Sequence, residues 1–100
     1  MAKLALLARM EAKPGKEKDV EQFLASALSL AQQEAGTTTW FALKLGPSTF
    51  GIYDTFDTEA ARQAHLDGPI AQAILARADE LLAKPPTIDK VDVLADTLPH

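Results

Sequence analysis

Between Trp40 and Phe56 the stretch WFALKLGPSTFGIYDTF gathers every aromatic residue of the chain except Phe23. Flat rings at this density suit three kinds of work: stacking nucleic-acid bases, walling a pocket for a flat organic molecule, or filling a core. Trp40 and Tyr53 carry an N–H and an O–H on their rings, so each can orient a ligand as well as bury it. Downstream, His65 has the one side-chain type whose ordinary titration falls near neutrality. His100, the second histidine, ends the sequence and is assigned no role. Two histidines so far apart, without carboxylates at ligand spacing, give no metal-site signal. The chain has no cysteine, which excludes disulfides, thiolate metal sites and thiol nucleophiles. It also has no glycine-rich phosphate loop and no serine in a nucleophile elbow.

The RNA option fails on its own requirements. TFGIYDTF places Phe50-Gly51 where an RNA recognition motif has its third-strand aromatic and glycine. Ser48 stands where a basic residue belongs, Ile52 replaces a stacking ring, and the first strand LALLARM supplies no second platform. A formal charge of −4 and a pI near 5.0 oppose a phosphate backbone. Phe23, Phe41, Phe50 and Phe56 read first as core or interface residues, because strand aromatics mostly pack.

At 100 residues, 47% hydrophobic and 24% charged, the chain reads as a single globular domain over 1–100, with a core of about 3–94 and a tail of 95–100. The N-terminal run MAKLALLARMEAK is interrupted by Arg9 and Glu11 and is too short to span a bilayer. A cytoplasmic protein is the expectation.

The elements that position these residues follow from periodicity. Lys3–Glu11 alternates as a strand, and Pro14-Gly15 punctuates. Val20, Phe23, Leu24, Leu28 and Ala31 mark one amphipathic helix over Lys16–Glu34, with Gly36 as its C-terminal cap. Thr37–Leu45 and Thr49–Phe56 form a hairpin about Gly46-Pro47-Ser48. Asp57-Thr58 caps a second helix, split at Gly68-Pro69, whose second part runs from Ile70 to Ala83. Ile88–Leu94 is the last strand. The charges at Lys16–Asp19 and at Asp79-Glu80 read as solvated helix faces.

This βαββαβ order predicts an α+β, ferredoxin-like fold: two helices, the second split, over one face of a four-stranded antiparallel sheet. The second face then poses a problem. Leu7, Phe41, Leu43, Leu45 and Tyr53 fall there, and an exposed apolar face of that kind marks an interface. A homodimer packed sheet to sheet is the simplest symmetric answer.

Three segments, ARMEAKPGKEKDVEQFL, EAGTTTWFALKLG and YDTFDTEAARQAHLDGP, together resemble the antibiotic biosynthesis monooxygenase family over roughly residues 4–94. The shared pieces are Lys13-Pro14-Gly15-Lys16 before helix one, Glu34-Ala35-Gly36 before strand two, and Glu59-Ala60 with His65 after strand three. The resemblance implies a dimeric α/β barrel. It also implies, in some members, oxygenation of quinol-like or polycyclic phenolic substrates without metal or flavin. The protein then supplies a dry cavity, a proton acceptor and orientation.

On that implication His65 is the catalytic group, and Trp40, Tyr53, Phe56 and Arg62 bind substrate, Arg62 by holding an anionic oxygen. The haem-degrading branch is not matched. Its asparagine, tryptophan and iron-ligating histidine fall at Ala8, Phe56 and Leu75, so the axial ligand is missing. Phe56 also lacks the indole donor of the polyketide-oxidising relatives. A second reading therefore stands beside the enzyme: a non-catalytic dimer that holds a small hydrophobic ligand or plays a structural part. No nucleic-acid or membrane partner is expected.

Overall fold

The computed structural model describes residues 3–99; His100 lies outside them. The chain runs β1 (Leu4–Glu11), α1 (Glu17–Ser26), α2 (Leu28–Gln32), β2 (Thr37–Lys44), β3 (Thr49–Phe56), α3 (Glu59–Leu66), α4 (Pro69–Leu81) and β4 (Thr87–Asp92). The four strands form one antiparallel sheet in the order β2-β3-β1-β4, the ferredoxin-like arrangement.

The register fixes what lies under the helices. Leu4, Leu6, Ala8 and Met10 of β1 oppose Phe56, Asp54, Ile52 and Phe50 of β3. Trp40 and Ala42 of β2 continue the rows of Asp54 and Ile52 on the other side. Because side chains alternate along a strand, these residues share one face. Met10, Phe50 and Ile52 on that face pack with Val20, Leu24, Ile70, Ile74 and Leu81 from the helices to make the core.

Three expectations need correction. The first helix is not continuous: it breaks at Ala27, whose N–H is shared between the carbonyls of Phe23 and Leu24. Ser26 and Ser29 turn their hydroxyls back onto the carbonyls of Phe23 and Ser26, a bonding mode that loosens and bends helices. Gly36 is not a left-handed cap, since Gly15 is the one glycine with positive φ among the described residues. Its constraint is space, because a Cβ there would lie 2.8 Å from Cβ of Ala61. The last helix stops at Leu81 rather than Ala83, because the chain turns to bridge β1. Lys13 N–H bonds to Leu81 O and Ala83 N–H to Glu11 O, each at 2.8 Å.

The α3 boundaries match their signals. Thr58 Oγ1 accepts a hydrogen bond from Ala61 N–H at 3.1 Å as the N-cap. Gly68-Pro69 separates α3 from α4, with Pro69 at the first helical position, where a missing N–H costs nothing.

On the far face of the sheet Phe41 is half exposed and stacks on Tyr53, with ring centroids 6.5 Å apart. The tail does not leave this face bare. Val93, Ala95, Asp96 and Leu98 line a crevice with Thr39, Phe41, Tyr53 and Thr55. Part of the apolar face is thus covered by the chain's own C-terminal segment.

Candidate functional site

β3 carries an interruption in its inward row. Between Ile52 and Phe56, both buried hydrophobics, the inward position holds Asp54, which is 1% exposed. A buried carboxylate needs partners to offset its lost hydration. The partner here is His65, brought over the sheet by α3. Its Nε2 lies 2.8 Å from Oδ2 of Asp54, and its Nδ1 lies 2.6 Å from Oε1 of Glu34. Glu34 comes from the turn after α2, and its position is set by the tight packing of that turn on α3. Gly36 in this turn lies against Ala61 of α3, and Thr37 Oγ1 donates to Oε1 of Glu34 at 2.8 Å. Phe56 closes another side of the imidazole, with ring centroids 5.4 Å apart.

Electrostatics decide the protonation state. Burial of the ring by itself lowers the pKa of His65. The Asp54 and Glu34 carboxylates outweigh that effect and hold it above the ordinary histidine value. The protonated ring is thereby favoured relative to a free histidine, with Nδ1 hydrogen-bonded to Glu34 and Nε2 in ion-pair contact with Asp54. The two carboxylates flank the ring rather than converge on one point. Among the described residues no group of three or more such side chains is set to hold a metal ion.

The hydrogen bonding around this trio is incomplete. Although His65 Nε2 is close to Asp54, the pair is not aligned as a directed hydrogen bond, and neither Asp54 oxygen has an aligned donor. Oε2 of Glu34 and Nε1 of Trp40 are likewise buried without a hydrogen-bond partner. Trp40 sits directly opposite Asp54 in the β2–β3 register. Buried polar atoms are nearly always paired, so unpaired ones concentrated here mark a place built for something besides the fold.

Beside Asp54 and His65 opens a cavity of about 110 Å³. Its walls come from β1 (Leu6, Ala8), α4 (Ile70, Ile74, Leu75) and β4 (Ile88), among others. Apart from the acid and the imidazole, the lining is apolar. A small apolar cavity with a few convergent polar groups at its buried end is the ordinary form of a small-molecule site.

The expected site residues do not come together in one place. His65 lies at the cavity, and Phe56 packs on its ring without lining the cavity. Trp40 is on the correct face but outside the lining. Tyr53 is on the opposite face of the sheet, under the tail, and cannot share a ligand with His65.

Arg62 turns inward and is consumed by structure. Its Nη1 donates to the carbonyls of Ala5 and Val91, at 3.3 and 3.4 Å, and its Nη2 to Glu59 at 2.5 Å. Asp54 and Glu34 were absent from the sequence-based set. For Asp54 a signal existed, since a carboxylate on the inward row of a core strand is out of place. Glu34 lies 31 residues from His65, and nothing local announces the pairing.

The model of the antibiotic biosynthesis monooxygenase family matches residues 4–77. The chain belongs to that family. Its fold agrees with solved structures over nearly its whole length. The NE2512 protein of unknown function from Nitrosomonas europaea is 61% identical, with a TM-score of 0.97 over 100% of this chain and 97% of that one. PA3566 from Pseudomonas aeruginosa is 22% identical, with a TM-score of 0.79 over 95% and 97%. Rv0793 from Mycobacterium tuberculosis is 16% identical, with a TM-score of 0.82 over 97% and 100%. No curated protein matches the sequence. Among the described residues no helix is long and apolar enough to cross a membrane.

Proposed function

We propose that the protein is a monooxygenase that needs no metal or flavin and oxidises a quinol-like or polycyclic phenolic substrate with dioxygen. The observation that carries this reading is Asp54: a buried carboxylate, open to an apolar cavity, with both oxygens lacking an aligned donor. A substrate hydroxyl entering the cavity meets an acceptor whose hydration has already been stripped away. Asp54 takes the hydroxyl proton, and the neighbouring His65 imidazolium stabilises the phenolate left behind. This assignment moves the proton-accepting role from His65 to Asp54, because an imidazolium carries a proton on each nitrogen and has no lone pair to offer.

The phenolate then supplies the electrons. One passes to dioxygen, the two radicals combine at ring carbon, and the O–O bond breaks with loss of water. For a hydroquinone, each molecule consumes one dioxygen and yields one hydroxylated benzoquinone and one water. The ring is oxidised and gains one oxygen atom, while the other oxygen leaves as water with the two hydrogens that the ring system loses. The apolar walls exclude bulk water from the charged intermediate. The cavity volume, on the scale of the ~150 Å³ that accepts benzene in an engineered core, favours a single ring over a polycycle at the buried end.

A homodimer completes the proposal. The exposed Phe41 and the apolar remainder of the far sheet face support a second copy packed there, with the tail at its margin. Sedimentation at micromolar concentration as a compact monomer would remove it.

One observation favours a second reading, a non-catalytic dimer that holds a small hydrophobic ligand. An imidazole tied at both nitrogens is also a good structural cross-link between α3, β3 and the α2–β2 turn. Oxygen uptake across hydroquinones and hydroxyanthrones separates the two. The enzyme reading expects turnover that falls about 10²-fold or more in Asp54→Asn and His65→Ala. No oxygen uptake with any of these substrates would leave only the binding role, and both variants turning over every accepted substrate at the parent rate would remove the roles assigned to Asp54 and His65.

A further inference from the structure

We infer that the ligand of this site is an amphiphile: a hydroxyl-bearing ring seated at the Asp54–His65 end, with an aliphatic chain leaving over Leu75, Pro86 and Ile88. The inference rests on Asp54 as the acceptor of the ligand's hydroxyl, and it does not depend on turnover. Three observations converge on it.

The first is the distribution of polarity along the cavity. Its two charged members are buried, Asp54 1% and His65 8% exposed, alongside the equally buried Leu6, Ile52 and Ile70, while Leu75 is 67% exposed and Ile88 47% exposed. Here a ligand gains hydrogen bonds at depth and apolar contact at the surface.

The second is size. About 110 Å³, below the ~150 Å³ of a cavity that accepts benzene, has room for at most one ring and none for a chain, so any substituent opposite the hydroxyl must emerge across the rim. Leu75 and Ile88 belong to the cavity lining and are exposed together, so the apolar surface is continuous from wall to rim. Apolar surface left open beside a binding cavity is the part a ligand would cover.

The third is charge. One imidazolium stands between two carboxylates, and no lysine or arginine lines the cavity. A fatty-acid carboxylate or a phosphate head would meet net negative charge with no cation free to receive it. A neutral hydroxyl donor meets an acceptor.

The test is isothermal titration of the full chain with 4-methyl-, 4-propyl-, 4-pentyl- and 4-heptylphenol, which probe binding without an oxygenation assay. Affinity is expected to rise roughly two- to fourfold per methylene over the first carbons and then level off once the rim is covered. Leu75→Asn with Ile88→Asn should compress the heptyl-to-methyl affinity ratio to near one. Leu75→Asn alone, at an exposed helix position, should at least halve that ratio and serves if the double variant unfolds. Heptylbenzene and octanoate should bind at least tenfold more weakly than heptylphenol. A flat alkyl series, a ratio unmoved by Leu75→Asn, or heptylbenzene binding as tightly as heptylphenol would overturn the inference. If the series behaves as expected while no oxygen is consumed with alkylhydroquinones, the amphiphile site stands and the oxygenase reading fails.

Discussion

The two ends of the layer between sheet and helices are built to different rules. At one end Met10 and Phe50 are sealed by Val20, Leu24 and Leu81, every one of them buried and apolar. At the other, the same two central strands present Leu6 and Asp54, and α3 and α4 leave a cavity with a buried ion trio beside it. The closed end satisfies itself; the open end leaves Asp54, Glu34 and Trp40 with unpaired polar atoms. In a chain of 100 residues with little area to spare, the closed end must hold the fold firmly enough for the open end to stay incomplete.

The contrast breaks most severely at the closed end. Phe50→Ala removes a ring that is 1% exposed, and the lost transfer energy plus the residual cavity cost about 3–5 kcal/mol. Urea denaturation should show most of the domain's stability gone, while the molecules that remain folded keep their affinity for a phenol probe. Retained stability would mean that the two ends share the load, and the contrast would collapse.

How far these two ends were legible differs for a physical reason. The closed end follows from periodicity: Val20, Leu24 and Phe50 sit where helical and strand spacing put core residues. The Thr58 cap and the Gly68-Pro69 break are short-range signals, and both are realised. The open end depends on pairings across 31 residues, which no local spacing encodes. Asp54 could have been found by asking why an inward strand position holds a carboxylate. Tyr53, its neighbour in sequence, attracted notice for its polar ring, yet strand alternation sends it to the far face. The split first helix was hidden because Ala27 is a good helix former. The hydroxyls of Ser26 and Ser29 distort the turn, and serine has ordinary helix propensity.

A smaller change sharpens the role of Glu34. It touches Nδ1 of His65 without lining the cavity, so it is a positioning residue. Glu34→Gln preserves shape and hydrogen bonding but removes the charge that helps hold the imidazolium. The pKa of His65, followed by NMR of the ring protons, should move down toward the ordinary value. Phenol affinity or turnover should fall about tenfold, or roughly 1.4 kcal/mol, and the pH profile should shift in the same direction as the pKa. A loss of function with an unmoved His65 titration would assign Glu34 a packing role only.

The smallest effect is the pH dependence of stability, and its sign follows from the same trio. The raised pKa means that folded His65 holds its proton more tightly than the unfolded chain, where the ring titrates near its ordinary value of about 6.5. The unfolded state therefore binds fewer protons in the window above that value, and stability falls as pH rises through it. The contribution is complete below about pH 6.5 and disappears once the folded pKa is passed. Glu59 and Glu80, whose carboxyls are held below their ordinary range mainly by hydrogen bonds from Arg62 and Arg77, act at acid pH and leave this window clear. Urea midpoints measured from about pH 6 to 9 should decline in the parent, decline less in Glu34→Gln, and lose this component in His65→Gln. A parent profile that rises over that range would show that the buried ring is held neutral. The carboxylates would then have to be read as burying a cost rather than storing a charge, and Asp54 could no longer count on an imidazolium beside it.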